Sequence, residues 1–203
     1  MERTIRTVIV CLIAVVCWLQ TCAAGEKETG MNDTLKTIFN RKSVRVYAPG
    51  TVSEEQLMTL IKAGMAAPSA VDKRPWEFIL VTDRAVLKKM ADAMPYAKMA
   101  AQAPAAIVVC GDTDKQYGGR SASYWQMDCS AATENLLLAA ESMGLGAVWT
   151  SVYPEEDRMV AMRAILGIPA HVIPLNLIPV GIPTGREKPK DKYDPQQIHR
   201  NAW

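Results

Sequence analysis

Two arginines, a lysine and a serine fall within five consecutive positions of the chain, in the segment Arg41-Lys42-Ser43-Val44-Arg45. If this segment is extended, Arg41, Ser43 and Arg45 share one face, because side chains alternate along a strand. Two guanidinium groups and a hydroxyl on one face suit a phosphate dianion, which arginine binds through paired hydrogen bonds. A solvated basic surface would have the same composition, so the cluster alone suggests a phosphate site without requiring one.

A second unusual segment, APSAVDKRPW at positions 67–76, lies between a helical pattern and an apolar strand pattern. Pro68 and Pro75 fix the path of its backbone. Ser69 and Ala70 are small enough to let the backbone approach a planar ligand. The segment is therefore either a plain connector or one side of a binding surface.

Several other chemistries lack the residues that they need. The chain has two histidines, His171 and His199, and neither has a partner at the spacing of metal ligands, so we expect no zinc catalysis. A Gly-x-Ser-x-Gly motif and a phosphate loop are absent. The stretch GLG at 144–146 begins like a dinucleotide fingerprint, but Trp149 stands where the third glycine belongs. What remains is chemistry carried by a bound cofactor.

The charge balance and the cysteines exclude further classes. The chain carries 23 Lys and Arg against 21 Asp and Glu, so it has no broad positive field for collecting nucleic-acid phosphates. Cys110 and Cys129 both fall in apolar patterns. Such patterns favour buried thiols over a disulfide or a metal site.

The first 24 residues are typical of an export signal. Arg3 and Arg6 precede an apolar run at 8–19, and small residues follow as far as Ala24. The run is too short to span a bilayer, which needs about 20 residues. A buried first helix or an uncleaved anchor are the alternatives.

The stretch LQTC at 19–22 also resembles a bacterial lipoprotein cleavage box, with Cys22 as the lipidated residue. We therefore expect residues 1–24 to be a signal peptide or a lipoprotein signal. Residues 25–31 are expected to form a tether and residues 32–203 a folded domain. The mature protein would be exported, periplasmic or lipid-anchored in the cell envelope, and it would touch the membrane through Cys22 alone.

Helical and strand patterns must position the two unusual segments. Residues 53–56 form a capping box, Ser-Glu-Glu-Gln, at the start of a helix. Apolar residues then recur with helical spacing along one predicted buried face, at Leu57, Leu60, Ile61, Gly64 and Met65. The segment 105–110 is apolar throughout, which indicates a strand buried on both faces. The segment 124–143 is apolar nearly all round, so this helix lies centrally or in an oligomer interface.

The complete pattern predicts an α/β or α+β domain in which helices cover a sheet. Asn32 or Asp33 caps a short helix that ends at Phe39, and Trp76 is expected to pack in the core. The other predicted helices cover 54–65, 84–94, 124–143 and 154–167. The predicted strands cover 78–81, 105–110, 147–151 and 172–182. A polar loop at 111–123 and an extended basic arm over the last twenty residues complete the chain.

The motifs occur in an order that resembles the FMN-dependent nitroreductase family. The order is Arg-x-Ser-x-Arg at 41–45, Ala-Pro-Ser-Ala at 67–70, Gly-Leu-Gly-Ala-Val-Trp at 144–149 and Pro-Val-Gly at 179–181, followed by a basic tail. The resemblance covers about residues 32–203. The ordered set is far more specific than any of its members.

The resemblance implies an α+β fold, a three-layer sandwich in which helices flank a central mixed sheet. It also implies a homodimer with two FMN sites at the subunit interface. In this family FMN takes a hydride from NADH or NADPH and then passes electrons, in ping-pong order, to a nitroaromatic, a quinone or a similar small acceptor. Because the protein's part is to hold and tune the flavin, the resemblance implies no catalytic side chain.

The resemblance also assigns the residues that bind FMN. Arg41, Ser43 and Arg45 match the segment that holds the FMN phosphate and the ribityl chain. Lys190 and Lys192 resemble a second phosphate clamp in the tail.

Two further segments match the flavin ring. Thr150 and Ser151 lie where the family's backbone passes the N5 side of the ring. The segment that reaches the flavin from the other subunit is matched by Pro68, Ser69, Ala70 and Asp72.

Asp72 and Arg74 stand where the commoner family pattern has asparagine and glutamine. An ionised aspartate can only accept hydrogen bonds, so Asp72 could meet the flavin N3 proton but would repel the carbonyl groups. Arg74 either places positive charge near the pyrimidine end and stabilises the reduced, anionic flavin, or forms a plain surface ion pair with Asp72.

An export signal raises a question about the electron donor, because NADH and NADPH are cytoplasmic reductants. Either the donor is another molecule, or the interpretation of the first 24 residues is wrong and the protein is cytoplasmic. A second function therefore stays open, an exported or lipid-anchored flavin-binding module without nicotinamide-dependent turnover. The loop residues Tyr117, Gly118 and Gly119 belong either to a lid over the acceptor or to a plain surface loop.

Overall fold

The computed structural model describes residues 31–203. The chain divides into two units, Met1–Lys36, of which residues 31–36 are described, and Thr37–Trp203. The expected signal at 1–24, most of the tether and Cys22 lie outside the described residues. Helix α1, Asp33–Asn40, begins where the sequence predicts, and Asn32 is its cap, since its Oδ1 accepts a hydrogen bond from the Leu35 amide at 2.9 Å.

The remaining elements agree closely with the predicted order. The further α-helices are α2 (Glu54–Met65), α3 (Arg84–Ala93), α4 (Tyr124–Ser142) and α5 (Glu156–Leu166). The strands are β1 (Tyr47–Ala48), β2 (Trp76–Val81), β3 (Ala105–Asp112), β4 (Gly146–Ala147), β5 (Thr150–Ser151) and β6 (Val172–Pro183). Short 3-10 helices cover Ala70–Asp72, Lys98–Ala101 and Pro195–Gln197.

The described strands form one six-stranded sheet built around β6. The main order is β1-β6-β3-β2, and β4 and β5 also pair with β6. Every pair of these strands is antiparallel. A parallel component comes from an isolated bridge between Ser43 and Ala147.

The predicted strand at 147–151 is divided into β4 and β5, which keep one register along β6. That register places Val148 opposite Pro179. A proline has no amide hydrogen to donate to a neighbouring strand. The division therefore originates in the partner strand and is invisible in the sequence of the divided segment.

Helices cover both faces of the sheet. Alternate residues of β3 point to opposite faces, so Ile107 and Val109 pack with α2 and α4, whereas Val108 and Cys110 pack with α3 and α5. Strand β3 is buried along its whole length. The predicted three-layer α+β architecture and the doubly buried strand are thereby confirmed, and the predicted core position of Trp76 is confirmed as well.

Burial is confirmed for four of the five residues predicted on the buried face of α2, and the prediction is wrong for Met65. Leu57, Leu60, Ile61 and Gly64 are buried, but Met65 is 52% exposed. At 3.6 residues per turn, a residue eight positions beyond Leu57 lies about 80° away around the helix. Met65 is also the last residue of α2, so its side chain lies outside the buried face of the helix.

Cys110 and Cys129 are buried free thiols, as predicted. Burial raises the pKa of the Cys110 thiol to about 12, and burial raises the pKa of Cys129 as well. Both groups are therefore protonated near neutral pH, so neither has the thiolate that a nucleophile or a metal ligand requires. Within residues 31–203, no helix is both long enough and apolar enough to cross a membrane.

The capping box at the start of α2 is present. Ser53 Oγ accepts a hydrogen bond from the Gln56 amide at 3.1 Å, and Gln56 Oε1 accepts one from the Ser53 amide at 2.9 Å. At the start of α4, by contrast, Ser123 makes no capping hydrogen bond with its side chain. The two serines therefore form a matched pair for measuring the contribution of the cap.

We expect Ser53→Ala to lower the free energy of unfolding by about 1 kcal/mol, because the Gln56 amide at the start of α2 loses its side-chain acceptor. Ser123→Ala should leave the free energy of unfolding nearly unchanged. Urea denaturation followed by circular dichroism measures both values. Equal losses in the two variants would contradict a special role for the Ser53 cap.

Candidate functional site

The cationic segment 41–45 is held against strand β4 by one backbone contact. The Val44 amide donates to the Ala147 carbonyl at 3.0 Å, and Val44 is buried beneath the segment. A Cβ atom at Gly146 would lie 2.6 Å from Val44 Cγ1, so this position has room for glycine alone. The glycine motif at 144–146 thus serves close packing against the cationic segment.

Tyr47 ties the same segment to β6. Its hydroxyl lies 3.1 Å from the Val44 carbonyl and 3.0 Å from the Pro179 carbonyl, and it donates between them. Burial raises the pKa of Tyr47, so the hydroxyl keeps the proton that this bridge requires. The side chains flanking Val44 are consequently fixed at one edge of the sheet.

The cationic segment and the carboxyl-terminal arm face each other across a cavity of about 320 Å³. The predicted residues Arg41, Ser43, Arg45, Lys190 and Lys192 all line it. The other lining residues, which the sequence did not single out, are Lys42, Glu187 and Lys188. The structure therefore brings together two clusters that are about 150 positions apart in the chain, as the phosphate prediction requires.

Helix α4 positions two of the cations. Glu134 Oε1 lies 3.1 Å from Arg41 Nε, and Glu141 accepts from Lys42 Nζ at 2.7 and 3.0 Å. Within residues 31–203, no ion pair engages Arg45, Lys190 or Lys192. We call this cavity the cationic cavity, since several of its positive charges lack a carboxylate partner.

Glu187 anchors the arm beside these cations. Its Oε1 accepts from the Arg45 amide at 2.9 Å and from the Val46 amide at 3.2 Å. These backbone donors, with that of Arg45 contributing most, hold the pKa of the Glu187 carboxyl below its usual range. Its Oε2 is buried without a hydrogen-bond partner in the described structure. Nothing in the local sequence of the arm distinguishes this glutamate, because its partners are about 140 positions away.

A larger cavity of about 520 Å³ adjoins the first at Arg45, which lines both. We call it the aromatic cavity. Its remaining lining residues are Met94, Pro95, Tyr96, Met99, Trp149, Thr150, Ser151 and Arg158. The predicted ring residues Thr150 and Ser151 are therefore next to the predicted phosphate residues.

Each of the two predicted ring residues is engaged by a neighbour. The Thr150 hydroxyl donates to the Leu177 carbonyl on β6, so its side chain is committed to the sheet. The Ser151 carbonyl accepts from Arg158 Nη1 at 3.2 Å. The Thr150 hydroxyl and the Ser151 carbonyl are therefore already engaged within the protein, and the Ser151 side chain is exposed.

Most of the segment 68–74 is exposed, Ser69 and Ala70 are half-buried, and the segment lines neither cavity. Its backbone is fixed from the core, because the Ala70 amide donates to Asp128 Oδ1 at 2.9 Å. Ser69 Oγ accepts from the Arg74 amide at 2.9 Å. Positive φ angles occur at three residues without a glycine among them, Val71 at 52°, Asp72 at 53° and Arg74 at 48°. Such conformations persist only where the surroundings impose them, so this segment is a braced protrusion.

Asp72 and Arg74 pair with each other in this protomer. Arg74 Nε donates to Asp72 Oδ1 at 2.7 Å, and a second bond joins Arg74 Nη2 to Asp72 Oδ2. The hydrogen bond from Arg74 lowers the pKa of Asp72, and the same bond raises the pKa of Arg74. Both side chains are largely exposed.

The polar loop predicted at 111–123 is organised by a buried side chain. Gln116 Nε2 donates to the Gly119 and Ala122 carbonyls at 2.8 and 3.0 Å, and its Oε1 accepts from the Trp125 amide. Tyr117 is exposed and packs edge-on against Tyr124. The loop lines neither of the two cavities of this protomer, which favours a surface loop over a lid within one protomer.

His171 comes close to two carboxylates. Asp112, Asp114 and His171 have potential ligand atoms within 4.8 Å of one another. Lysine and arginine already compensate these carboxylates, since Asp112 lies 3.3 Å from Lys115 Nζ and Asp114 pairs with Arg120. The group is therefore an ion-pair cluster at the end of β3, and none of its residues lines either cavity.

Comparison with known proteins gives a consistent result. The model of the nitroreductase family matches residues 38–95 and 93–182. A candidate NADH dehydrogenase/NAD(P)H nitroreductase of Methanothermobacter thermautotrophicus is 45% identical over 171 residues, which are 84% of this chain and 88% of that protein. A crystal structure of a candidate NADH dehydrogenase/NAD(P)H nitroreductase from Parabacteroides distasonis is 58% identical, with a TM-score of 0.81, covering 85% of this chain and 100% of the other.

A less similar solved structure is that of a protein described as FMN-dependent. The FMN-dependent nitroreductase of Clostridium difficile is 27% identical and superposes with a TM-score of 0.76, covering 82% of this chain and 98% of that one. The segment carrying Arg41, Ser43 and Arg45 lies inside the matched range 38–95.

We expect Glu187→Ala to release the arm from the cationic segment, lowering the exchange protection of the Arg45 and Val46 amides by roughly three- to tenfold. Asp191→Ala is the matched control, because Asp191 bonds locally to the Tyr193 amide. Hydrogen exchange followed by mass spectrometry reads both variants. An unchanged protection of residues 45–46 in Glu187→Ala would contradict the anchor.

The same anchor should depend on pH. Since the folded pKa of Glu187 is depressed, its contribution is complete above the ordinary glutamate pKa of about 4.3. The contribution is lost as the pH falls through the lowered folded value. Exchange protection of residues 45–46 should therefore be constant near pH 7 and fall in acid, and Glu187→Ala should remove that step.

Proposed function

Because the chain belongs to the nitroreductase family, we propose that it is an FMN-dependent oxidoreductase that moves electrons from NAD(P)H, or another donor, to a small acceptor such as a nitroaromatic or a quinone. The observation that carries the proposal is the pair of adjoining cavities, one cationic and one aromatic, that share Arg45. FMN has the matching pair of parts, a phosphate dianion and a planar ring.

The residues of the cationic cavity fit the FMN phosphate. Arg41, Lys190 and Lys192 supply positive charge, and Ser43 supplies a hydroxyl donor. Guanidinium and ammonium groups form charge-assisted hydrogen bonds with phosphate oxygens. The ion pair between Arg41 and Glu134 leaves the other guanidinium nitrogens of Arg41 for such a ligand.

The residues of the aromatic cavity fit the flavin ring. Trp149, Met94 and Met99 provide apolar surface, and the backbone of Thr150 and Ser151 provides polar groups at one edge. A ligand pocket typically combines apolar walls with a few fixed polar groups in this way. FMN, when bound, supplies the chemistry of hydride acceptance and donation. The chain holds the cofactor, sets its electrostatic surroundings and leaves room for a second molecule, and we assign no catalytic side chain.

The proposal includes a homodimer in which the protrusion 68–74 completes the partner's site. Support comes from the exposed, braced backbone of residues 71–74 and from the absence of residues 68–74 from the lining of either cavity. In this arrangement Pro68, Ser69, Ala70 and Asp72 approach the flavin across the interface. Light scattering should give twice the protomer mass, and an FMN-loaded monomer would contradict the shared site.

The proposal also includes export, on the grounds of the charged and apolar pattern of residues 1–24. Cys22 would carry the lipid if the signal is of the lipoprotein kind. Fractionation of cells expressing the full chain and its Cys22→Ser variant separates the cases. A membrane-bound parent with a released variant supports the anchor, a periplasmic protein in both supports simple cleavage, and a cytoplasmic protein in both would contradict export.

The visible colour of bound flavin tests the proposed oxidoreductase function. We expect the purified protein to be yellow, to bleach with NADH or NADPH under anaerobic conditions, and to recover its colour when a nitroaromatic is added. A colourless protein that takes up no FMN would overturn the proposal. A yellow protein inert to every donor would favour a flavin-binding module without turnover.

Arg41→Gln should weaken FMN binding roughly 10- to 100-fold, because a charge-assisted contact to the phosphate is lost. Lys190→Gln should weaken it similarly. Lys88→Gln is the control, since Lys88 is an exposed cation on α3 that pairs with Asp92. The dissociation constant is read from quenching of flavin fluorescence, and a loss of equal size in Lys88→Gln would show that only the net charge matters.

Arg74→Gln should lower the flavin midpoint potential, because a positive charge near the reduced, anionic ring would be removed. Asp72→Asn should raise the potential, since it removes the negative partner of the same ion pair. Spectroelectrochemical titration measures both variants against the parent. If both variants have the same flavin midpoint potential as the parent, the pair of Asp72 and Arg74 is only a surface ion pair.

A further inference from the structure

Arg158 is a cation in the aromatic cavity for which the FMN proposal has no use. It lies near the start of α5 and is half-buried. The ring of Tyr96 lies against its guanidinium, with the central carbon 5.5 Å from the ring centroid. Its Nη1 donates to the Ser151 carbonyl at 3.2 Å. These two contacts fix the guanidinium at the wall of the cavity.

Arg158 forms no ion pair among the described residues, although Glu155, Glu156 and Asp157 directly precede it in the chain. No carboxylate in residues 31–203 lies within ion-pair distance of it, and its Nε is buried without an acceptor. The lining of the aromatic cavity contains Arg45 and Arg158 but neither aspartate nor glutamate. Placing a partly desolvated charge without a partner is costly. A ligand that brings a negative charge to this wall would remove that cost.

The walls around Arg158 indicate what else the ligand should carry. Tyr96, whose ring lies against the Arg158 guanidinium and which the flavin proposal does not use, offers aromatic surface. Arg45 also lines the cationic cavity, so Arg158 is the arginine left for the second molecule. A guanidinium binds a carboxylate through two parallel hydrogen bonds, which suits a planar acid.

We propose that Arg158 binds the carboxylate of the electron acceptor, so that this protein prefers aromatic acids to neutral aromatic compounds of the same size. The inference rests on the proposed oxidoreductase function, and it narrows the acceptor to a chemical class. Arg158 is in this view a specificity-determining residue that contacts the substrate away from the atoms that react.

The test compares 4-nitrobenzoate with 4-nitrobenzamide, which differ in charge and hardly in shape. In the parent, calorimetry should give a dissociation constant at least tenfold lower for the acid. Arg158→Gln should remove this difference, and Arg158→Lys should retain part of it because it keeps the charge but loses the planar fork. In steady-state kinetics, Arg158→Gln should raise KM for the acid about tenfold and change KM for the amide less than twofold.

Three outcomes would overturn the inference. The first is equal affinity of the parent for the acid and the amide. The second is an equal loss of both ligands in Arg158→Gln when its circular dichroism and FMN content match the parent's. The third is an effect confined to KM for NADPH, which would assign Arg158 to a phosphate of the donor. Because calorimetry needs no turnover, a protein without FMN would fail the proposed function while still reporting on this binding.

Discussion

Both cavities depend on the pairing of strand β6 with four other strands. Within its twelve residues β6 binds β3 on one edge and β1, β4 and β5 along the other. The cationic segment leads into β1, the backbone of the aromatic cavity is β5, and the arm with its lysines continues directly from the end of β6. Residues that are distant in sequence therefore lie close together because their segments pair with, or continue from, the same strand. A shift in the register of β6 would separate them.

The second constraint is the close approach of Val44 to Gly146. The backbone bond from Val44 to Ala147 can form because no Cβ stands between the two strands. With Val44 buried, the neighbours on either side must turn away from the core. Burial of one apolar side chain thus decides where two charged groups and a hydroxyl are presented. Tyr47 reinforces the arrangement by bonding to both sides of the junction.

Much of the fold and part of the site could be predicted from the sequence. Helices with caps and a fully apolar strand are local patterns, so their bounds were predicted to within a few residues. The meeting of Arg41 with Lys190 and Lys192 followed from the family resemblance, which supplies long-range information that the residues themselves lack. Glu187 could not be found in this way, since the amides that it binds lie far along the chain, and Arg158 was hidden because the ring against it, Tyr96, comes from a distant segment. The division at Val148 was equally hidden, because its cause is Pro179 on another strand.

Arg45 forms a wall of both cavities, and this has a thermodynamic consequence. One guanidinium has a fixed set of N–H donors, so anions in the two cavities compete for them and also repel each other. Occupation of one cavity then alters the affinity of the other, and linkage requires that the effect be reciprocal. Under the proposed function, the FMN phosphate and an acidic acceptor would be negatively coupled through this side chain. In that arrangement, an occupied phosphate site would favour release of a charged product while the cofactor stays bound.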